Sequence, residues 1–467
     1  MKITVVGAAG GEVTGSAYYI QTNQASILLD CGMFQGGRKS EALNKPPVGP
    51  RQKIDAVLLT HGHLDHTGRL PLLAQRGHTM PVYTTPATID MAALIIRDSA
   101  RIQAGDAKRK NRKRAQTGEA PAEPLYTEQE AEDIIKCFRP VPYNKPVKVA
   151  TGVEARFVEA GHMLGSTSIE LTVSEDGRQK RVVFSGDLGP RGVPMLHKFE
   201  PLRQADMVFL ESTYGDRDHK PFEETVEEFG RIVQDAVARK GRILIPTFAV
   251  GRAQLLTILL GWMFRKNKLQ PFPLFLDSPM AIEASKIYAK HFLATPELFD
   301  ERLLKHIAQK PIREDLKTLR PTASATESAA ISRCTPPYLV MAGAGMCNAG
   351  RILHHLKENL MKPETHVLIV GYQGRGSLGR RLVEKEPEVR IHGEEVPVHA
   401  QVHTLGGFSA HAGQTDLLAW FDSLAPSKPR VILTHGEDGP RQTLAELIQQ
   451  RYKLKSTLPV MRDTIEL

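Results

Sequence analysis

The stretch LLTHGHLDHTG, residues 58–68, sets His61, His63, Asp65 and His66 within six positions at the end of an apolar run. Imidazoles and a carboxylate are the side chains that transition-metal ions bind most readily. Crowding them demands a scaffold that fixes each one, so the stretch constrains fold and chemistry together. On a strand, residues i and i+2 share a face, so His61 and His63 point together. Asp65 and His66, in the turn that follows, bend toward a neighbouring point. This geometry predicts two adjacent metals rather than one four-ligand ion. A structural zinc would favour thiolates in a closed tetrahedron. The cysteines, at 31, 137, 334 and 347, form no CxxC and lie outside this stretch.

Two metals need more ligands, and three further stretches offer them where apolar strands end. EAGHMLGSTS (159–168) carries His162, FSGDLGPRG (184–192) carries Asp187, and VILTHGE (431–437) carries His435. Glycine beside each lets backbone and side chain come close to an ion. A single loop histidine means little; four such stretches form one constellation.

At 467 residues the chain exceeds one ordinary core, which predicts two domains. Apolar content of 41% and charged content of 24% fit a water-soluble globular protein. No apolar run approaches the ~18 residues of a membrane span. The start, MKITVVGAAGGEVTGS, reads as a first strand; Gly and Glu12 break it too early for a signal peptide. Together with unpatterned cysteines this points to reduced thiols and a cytoplasmic location. Cys31 and Cys347 read as packing residues. The net charge of +9 tilts the chain toward polyanions.

Residues 1–30 read as three short strands, KITVVG, SAYYIQ and ASILLD, and Ile54–Leu59 as a fourth. A helical pattern runs from Thr85 to Gln103. The stretch 105–124, with its Lys/Arg cluster at 108–114, reads as an exposed loop or lid. Strands are expected at 154–159, 168–173, 181–185 and 206–210. Beyond 210, apolar strands at 242–248, 273–278, 337–343 and 365–373 alternate with helices, the signature of a parallel α/β unit. From about 393 the chain returns to strands and Gly/His loops.

The series LLDCG with Asp30, HGHLDH, AGHMLGS and SGDLG resembles, in that order, the metallo-β-lactamase superfamily. FLESTYGDRDH, DSPMA, AGAGMCNAGRILHHL, GYQGRGSLGRRL, GGFSAHAGQ and THGE resemble its β-CASP subgroup. More narrowly, the chain is similar to RNA nucleases of the cleavage and polyadenylation specificity factor type, in compact prokaryotic form without an amino-terminal RNA-binding module. The resemblance spans essentially the whole chain. It implies an α/β fold: a four-layer αβ/βα metallo-β-lactamase domain, residues 1–208 and 393–467, with a parallel α/β β-CASP domain, 209–392, inserted into it and the active site in the cleft.

By the same resemblance, His61, His63 and His162 bind one Zn²⁺, Asp65, His66 and His435 a second, and Asp187 bridges them. Asp30 stands behind the ligands. Catalysis is assigned to Asp187, Asp65, Glu211 and His411. Two Zn²⁺ ions about 3.5–4 Å apart can bridge a water, lower its pKa and clamp both oxygens of an in-line displacement. The bridging hydroxide would attack phosphorus, and His411, paired with Glu211, would protonate the leaving 3′-oxygen. RNA-acting relatives carry histidine in the last motif, where DNA-repair members carry valine, so His435 favours RNA. A homodimer is a further implication.

Backbone N–H groups of the glycine-rich stretches, with Arg375, Arg380 and Arg381, would meet a polyanion. His403 would touch phosphate or serve structure. The 108–114 run would grip RNA or remain a solvated loop. One rival reading is a dizinc hydrolase of a small thioester or lactam; another is a non-catalytic RNA scaffold. Every ligand position is filled, which opposes the scaffold. Cleavage as an endonuclease or from a 5′ end stays open.

Overall fold

The short apolar runs at the amino end pair antiparallel, β1 (Lys2–Val5) with β2 (Tyr18–Gln21) and β2 with β3 (Ser26–Leu29). In the computed structural model, which describes residues 1–36, 38–49, 51–374 and 376–467, the sheet extends in parallel through β4 (Ala56–Leu58), β5 (Val82–Thr84) and β6 (Phe138–Pro140). Its other edge is the chain's last strand, β22 (Thr464–Glu466), beside β1. A second sheet runs in the order β21 (Ser456–Thr457), β20 (Arg430–Thr434), β11 (Met207–Glu211), β10 (Arg178–Phe184), β9 (Thr167–Glu175), β8 (Val153–Glu159), β7 (Val147–Ala150).

Strand alternation divides these residues among three cores. Ile27 and Leu29 of β3, with Met207 and Phe209 of β11, fill one core shared by both sheets. Leu28 turns the other way, onto Ala92, Ile96 and Ala100 of a long helix. Val208 and Leu210 turn onto Leu417, Trp420, Leu444 and Ile448 of two C-terminal helices. Helices, sheet, sheet and helices therefore make four layers, and the central strands β3, β4, β11 and β20 are buried on both faces, which is why they read as nearly unbroken apolar runs. Each fully buried Leu, Ile or Phe contributes about 1.5–3 kcal/mol.

The long helix spans Pro86–Thr117, from a Thr85 cap to Gly118 in the left-handed region at φ 70°. The loop or lid expected over 105–124 is therefore corrected: its first thirteen positions are helical. Lys and Arg are good helix formers, and buried Ala100 and Ala107 with half-buried Asn111 continue one packed face. Asn111 Nδ2 donates to the Ala122 carbonyl (3.0 Å), and the Ala122 N–H donates to Asn111 Oδ1 (2.6 Å), so the returning chain is strapped along the helix.

The second unit is built on a six-stranded sheet of parallel neighbours, β14 (Leu319–Pro321), β13 (Leu274–Asp277), β15 (Tyr338–Ala342), β12 (Arg242–Pro246), β16 (Thr365–Ile369) and β19 (Gln401–Thr404). Helices Phe222–Ala238 and Ile352–Asn359 pack on β12, and Pro279–Ala294 on β13. A hairpin, β17 (Glu388–Ile391) and β18 (Glu394–Pro397), completes it. The two units comprise Met1–Arg191, Lys198–Asp218 and His411–Leu467, and Gly192–His197 with His219–Ala410. These divisions differ from breaks at 208/209 and 392/393, because β11 runs through Glu211 in the first unit and β19 lies in the sheet of the second. No helix among the described residues is long and apolar enough to cross a membrane.

Candidate metal centre

Every candidate ligand lies in the first unit, just beyond the carboxyl end of a strand. His61 and His63 do not sit on β4 itself, which ends at Leu58; they occupy the extended segment after it. His63 then caps a single helical turn, Leu64–Thr67, that holds Asp65 and His66. This turn is stitched to two segments: the Cys31 N–H, after β3, donates to the His66 carbonyl (2.8 Å), and the Ser16 N–H, before β2, donates to the Asp65 carbonyl (2.8 Å). Only glycine fits at position 32, where a Cβ would overlap the Asp65 carbonyl.

His162 follows β8, and its N–H donates to Ser166 Oγ (3.0 Å), which fixes the loop. Asp187 follows β10, beside Gly186 at φ 58°. His435 follows β20, itself at φ 53°.

The carboxylate of Asp187 divides the cluster. Its Oδ2 lies 3.5 Å from His61 Nε2 and 3.5 Å from His162 Nε2. Its Oδ1 lies 3.3 Å from His66 Nε2 and 3.4 Å from His435 Nε2. Two groups of donor atoms result, each within 4.8 Å: His61, His63, His162 and Asp187; and Asp65, His66 and His435. A third contains Asp187, Glu211 and His411.

The donor set fits metal ions. His61 Nε2 and Asp187 Oδ1 are buried without a hydrogen-bond partner, an expensive state for polar atoms unless a cation meets them. His66 Nε2 and His435 Nε2 face each other at 3.2 Å. Two nitrogen lone pairs at that distance need a proton or a metal ion to offset their repulsion. Asp30 Oδ2 accepts from His66 Nδ1 at 2.7 Å, so the proton sits on Nδ1 and Nε2 is the ligating atom. Thr213 Oγ1 lies 3.1 Å from His435 Nδ1.

Electrostatics agree. Burial and the surrounding imidazoles hold His61 well below its ordinary pKa. Burial outweighs the nearby carboxylates at His63 and brings it to about 4. Both are neutral at physiological pH, the form that binds metal. Burial raises the Asp187 carboxyl, but the imidazoles of His435, His66 and His61 packed around it outweigh burial and hold the group well below the usual range. Burial would raise Asp65 too, but His435, with Nε2 3.7 Å from its Oδ2, and His66 bring it below the usual range.

Glu211 ends β11 and is buried. Its Oε1 accepts the Leu188 N–H (2.8 Å) and faces His411 Nδ1 at 3.3 Å. Burial would lower the His411 pKa; the charge and bond of Glu211, with Asp187 and Asp65, lift it to about 9. The His411 ring lies tilted against His162 (centroids 4.6 Å apart), its Nε2 is 4.0 Å from Asp187 Oδ2, and its side chain is 18% exposed. His63, Asp65 and His411 are the members that reach solvent.

Not every candidate converges here. Arg380 and Arg381 lie in the second unit, on the short helix Leu378–Val383, and pair with Glu384 and Glu386 (2.6 Å each). Arg375 falls outside the described residues. His403, on β19, lies flat against His366, with ring centroids 5.3 Å apart. Cys31 and Cys347 are buried. Thr60 and Thr213 were not foreseen. Thr60 gives its N–H and Oγ1 to the Asp30 carboxylate at 2.9 Å each. The only signal in the sequence is adjacency, Thr60 before HGH and Thr213 two residues after Glu211.

The sequence profile of the metallo-beta-lactamase superfamily matches residues 10–246. Over 97% of its length the chain is 40% identical to Ribonuclease TTHA0252 of Thermus thermophilus, covering 96% of that protein. The chain belongs to the metallo-β-lactamase superfamily. Within it, a Beta-Casp domain matches 253–382, and a Zn-dependent metallo-hydrolase RNA specificity domain matches 395–459. The chain is also similar over its full length to the transcription termination factor FttA of Methanosarcina mazei (29% identity, 72% of that protein) and of Methanocaldococcus jannaschii (28%, 71%). A crystal structure of an Enterococcus faecalis protein of unknown function shares the fold, with a TM-score of 0.53, 14% identity, and coverage of 100% of this chain and 99% of that one.

Proposed function

We infer that this chain is a zinc-dependent ribonuclease that hydrolyses phosphodiester bonds of single-stranded RNA during RNA processing or decay. The observation that carries the reading is the division of the Asp187 oxygens between two histidine groups, with the Glu211–His411 pair on the open side. His61, His63, His162 and Asp187 would hold one Zn²⁺; Asp65, His66, His435 and Asp187 would hold the other. When bound, two zinc ions supply Lewis acidity that activates water and offsets charge on the phosphoryl oxygens.

The rest is the work of this chain's own side chains. Asp30 and Thr213 fix which ring nitrogen of His66 and His435 faces the centre. Glu211 holds His411 Nδ1, which leaves Nε2 facing the cluster. Hydrolysis adds water across the P–O bond: the water's oxygen joins phosphorus and gives up a proton, the bond to the 3′-oxygen breaks, the leaving oxygen takes the proton from His411 Nε2, and the water's proton restores it. Such an acid is worth about 10²–10⁴-fold. We place the inserted domain between residues 209 and 392, and the protein in the cytoplasm, with a homodimer as the assembly.

The thioester or lactam alternative is not favoured by the relatives named above, a ribonuclease and transcription termination factors. Purified zinc-loaded protein is expected to cut end-labelled single-stranded RNA and leave acylated glutathione intact, with Asp187→Ala inactive. The reverse substrate preference would overturn the reading. Comparing 5′-phosphate with 5′-hydroxyl substrates distinguishes endonuclease from 5′-exonuclease action.

A further inference from the structure

The helix Pro86–Thr117 begins at the metal cluster and ends away from it. At its start, Thr85 Oγ1 and Thr88 Oγ1 both donate to the Gly165 carbonyl (2.8 and 2.7 Å), three residues after His162. One turn on, Met91 and Ala92 lie against Gly62, between His61 and His63. From Met91 to Lys113 the axis runs about 33 Å, at about 1.5 Å per residue. The far end carries Lys108, Arg109, Lys110, Arg112, Lys113 and Arg114.

Two of these are neutralised, Arg109 by Asp106 and Arg114 by Glu119. Among the described residues, Lys108, Lys110, Arg112 and Lys113 have no carboxylate partner, and all four are exposed. Lys108 and Arg112 are one turn apart on one face, about 6 Å along the axis, and Lys113 is turned about 100° further round the helix, so the tip is cationic on more than one side. From Gln103 to Ala120 no apolar residue larger than alanine occurs. The face therefore offers charge without a greasy surface, which fits a polyanion and not insertion into a bilayer or an apolar groove of a protein. The straps from Asn111 and Gln103 to the returning chain hold this end in place.

We propose that the distal end of this helix is a binding site for the phosphate backbone of RNA, which holds the strand well away from the scissile bond. The proposal rests on the ribonuclease reading above. Contacts of this kind read charge and not sequence, so they raise affinity for long strands and leave chemistry untouched. A substrate too short to span from cluster to tip gains nothing from them.

The test compares zinc-loaded wild type with the triple variants Lys108→Glu/Arg112→Glu/Lys113→Glu and Lys108→Gln/Arg112→Gln/Lys113→Gln, on a long unstructured RNA and on a dinucleotide. The expected result for the charge reversal is a KM about tenfold higher for the long RNA, the order of loss for about three phosphate contacts. The Gln variant should fall in between, with kcat and the dinucleotide kinetics unchanged. The salt dependence of binding should flatten by about two units in log–log slope. Unchanged KM and slope in an enzyme that still cuts RNA would overturn the tip and leave the ribonuclease reading standing. Wild type that neither binds nor cuts RNA would overturn both. Loss of binding to anionic vesicles, with RNA kinetics intact, would also overturn the tip.

Discussion

Asp30 shows how one residue off the cluster sets the state of residues in it. Both its oxygens are committed, Oδ1 to the Thr60 N–H and Oδ2 to Thr60 Oγ1 and His66 Nδ1. An amide in its place cannot accept at both atoms, so one bond is lost and the His66 ring is freed. Asp30→Asn is expected to lower metal affinity about 10–100-fold, read by competition with a chelator; wild-type affinity would refute the role. A second buried carboxylate, Asp277 of the DSPMA stretch, is structural. Its Oδ1 accepts from Thr322 Oγ1 and Arg351 Nη1 (2.7 Å each), and its Oδ2 from Ser328 Oγ (2.6 Å) and His355 Nε2 (2.7 Å). Burial alone would raise its pKa, but the bonds from His355, Ser328, Thr322 and Arg351 bring it down from 3.8 to about 2. A folded value below the unfolded one means the stabilisation is full above about pH 4 and is lost as pH falls through about 2. The stability gap between wild type and Asp277→Asn in urea should therefore be wide at about pH 5 and close by about pH 2. A gap that stays constant with pH would remove the carboxylate's charge from the account.

At the scale of elements, ligands ride on loops whose paths are fixed by close backbone approach. A Cβ on Gly189 would run into the Gly161 carbonyl, next to His162. Gly189→Ala must displace the loop that carries His162 while the strands behind it stay in place. The expected outcome is a loss of bound zinc with a modest stability cost, about 1–3 kcal/mol. Full zinc occupancy would show that the loop adapts. The same loops explain what the sequence made legible. Strand ends with Gly beside His or Asp stand out, because apolar period and ligand type coincide there. The basic tip was not legible as helix. Its packed face is only Ala100, Ala107 and Asn111, too sparse to register as period 3.6, while its six cations dominate the reading. Strands β5, β6 and β7 are illegible for a related reason: each is only three or four residues, too short for any period to register. Thr60 and Thr213 carry no pattern at all; their role exists only once the loops are brought together.

In the whole chain, the metal ligands join parts that are far apart in sequence. His66 and His435 are separated by 369 positions, and the second unit's residues 219–410 lie between them. This is why family motifs scattered over the sequence could announce one centre, whereas no local pattern could say that His435 meets His66. Metal bound across such a span stabilises only a unit in which both parts are already folded together, so its binding energy adds to that unit's stability. The stabilisation follows mass action, about 2.7 kcal/mol at a free-metal concentration of 100 Kd. Removing metal should therefore act locally. Hydrogen exchange after chelation is expected to speed up in the segments following β4, β8, β10 and β20, where the ligands sit. It should stay unchanged in β12, β13, β15 and β16, which belong to the other unit and carry none of the proposed ligands. Re-addition of zinc should restore the original protection. Equal acceleration in both units would show that the centre supports the entire chain; no change in either would show that these residues hold their places without metal, and that the unpartnered atoms of His61 and Asp187 are satisfied in another way.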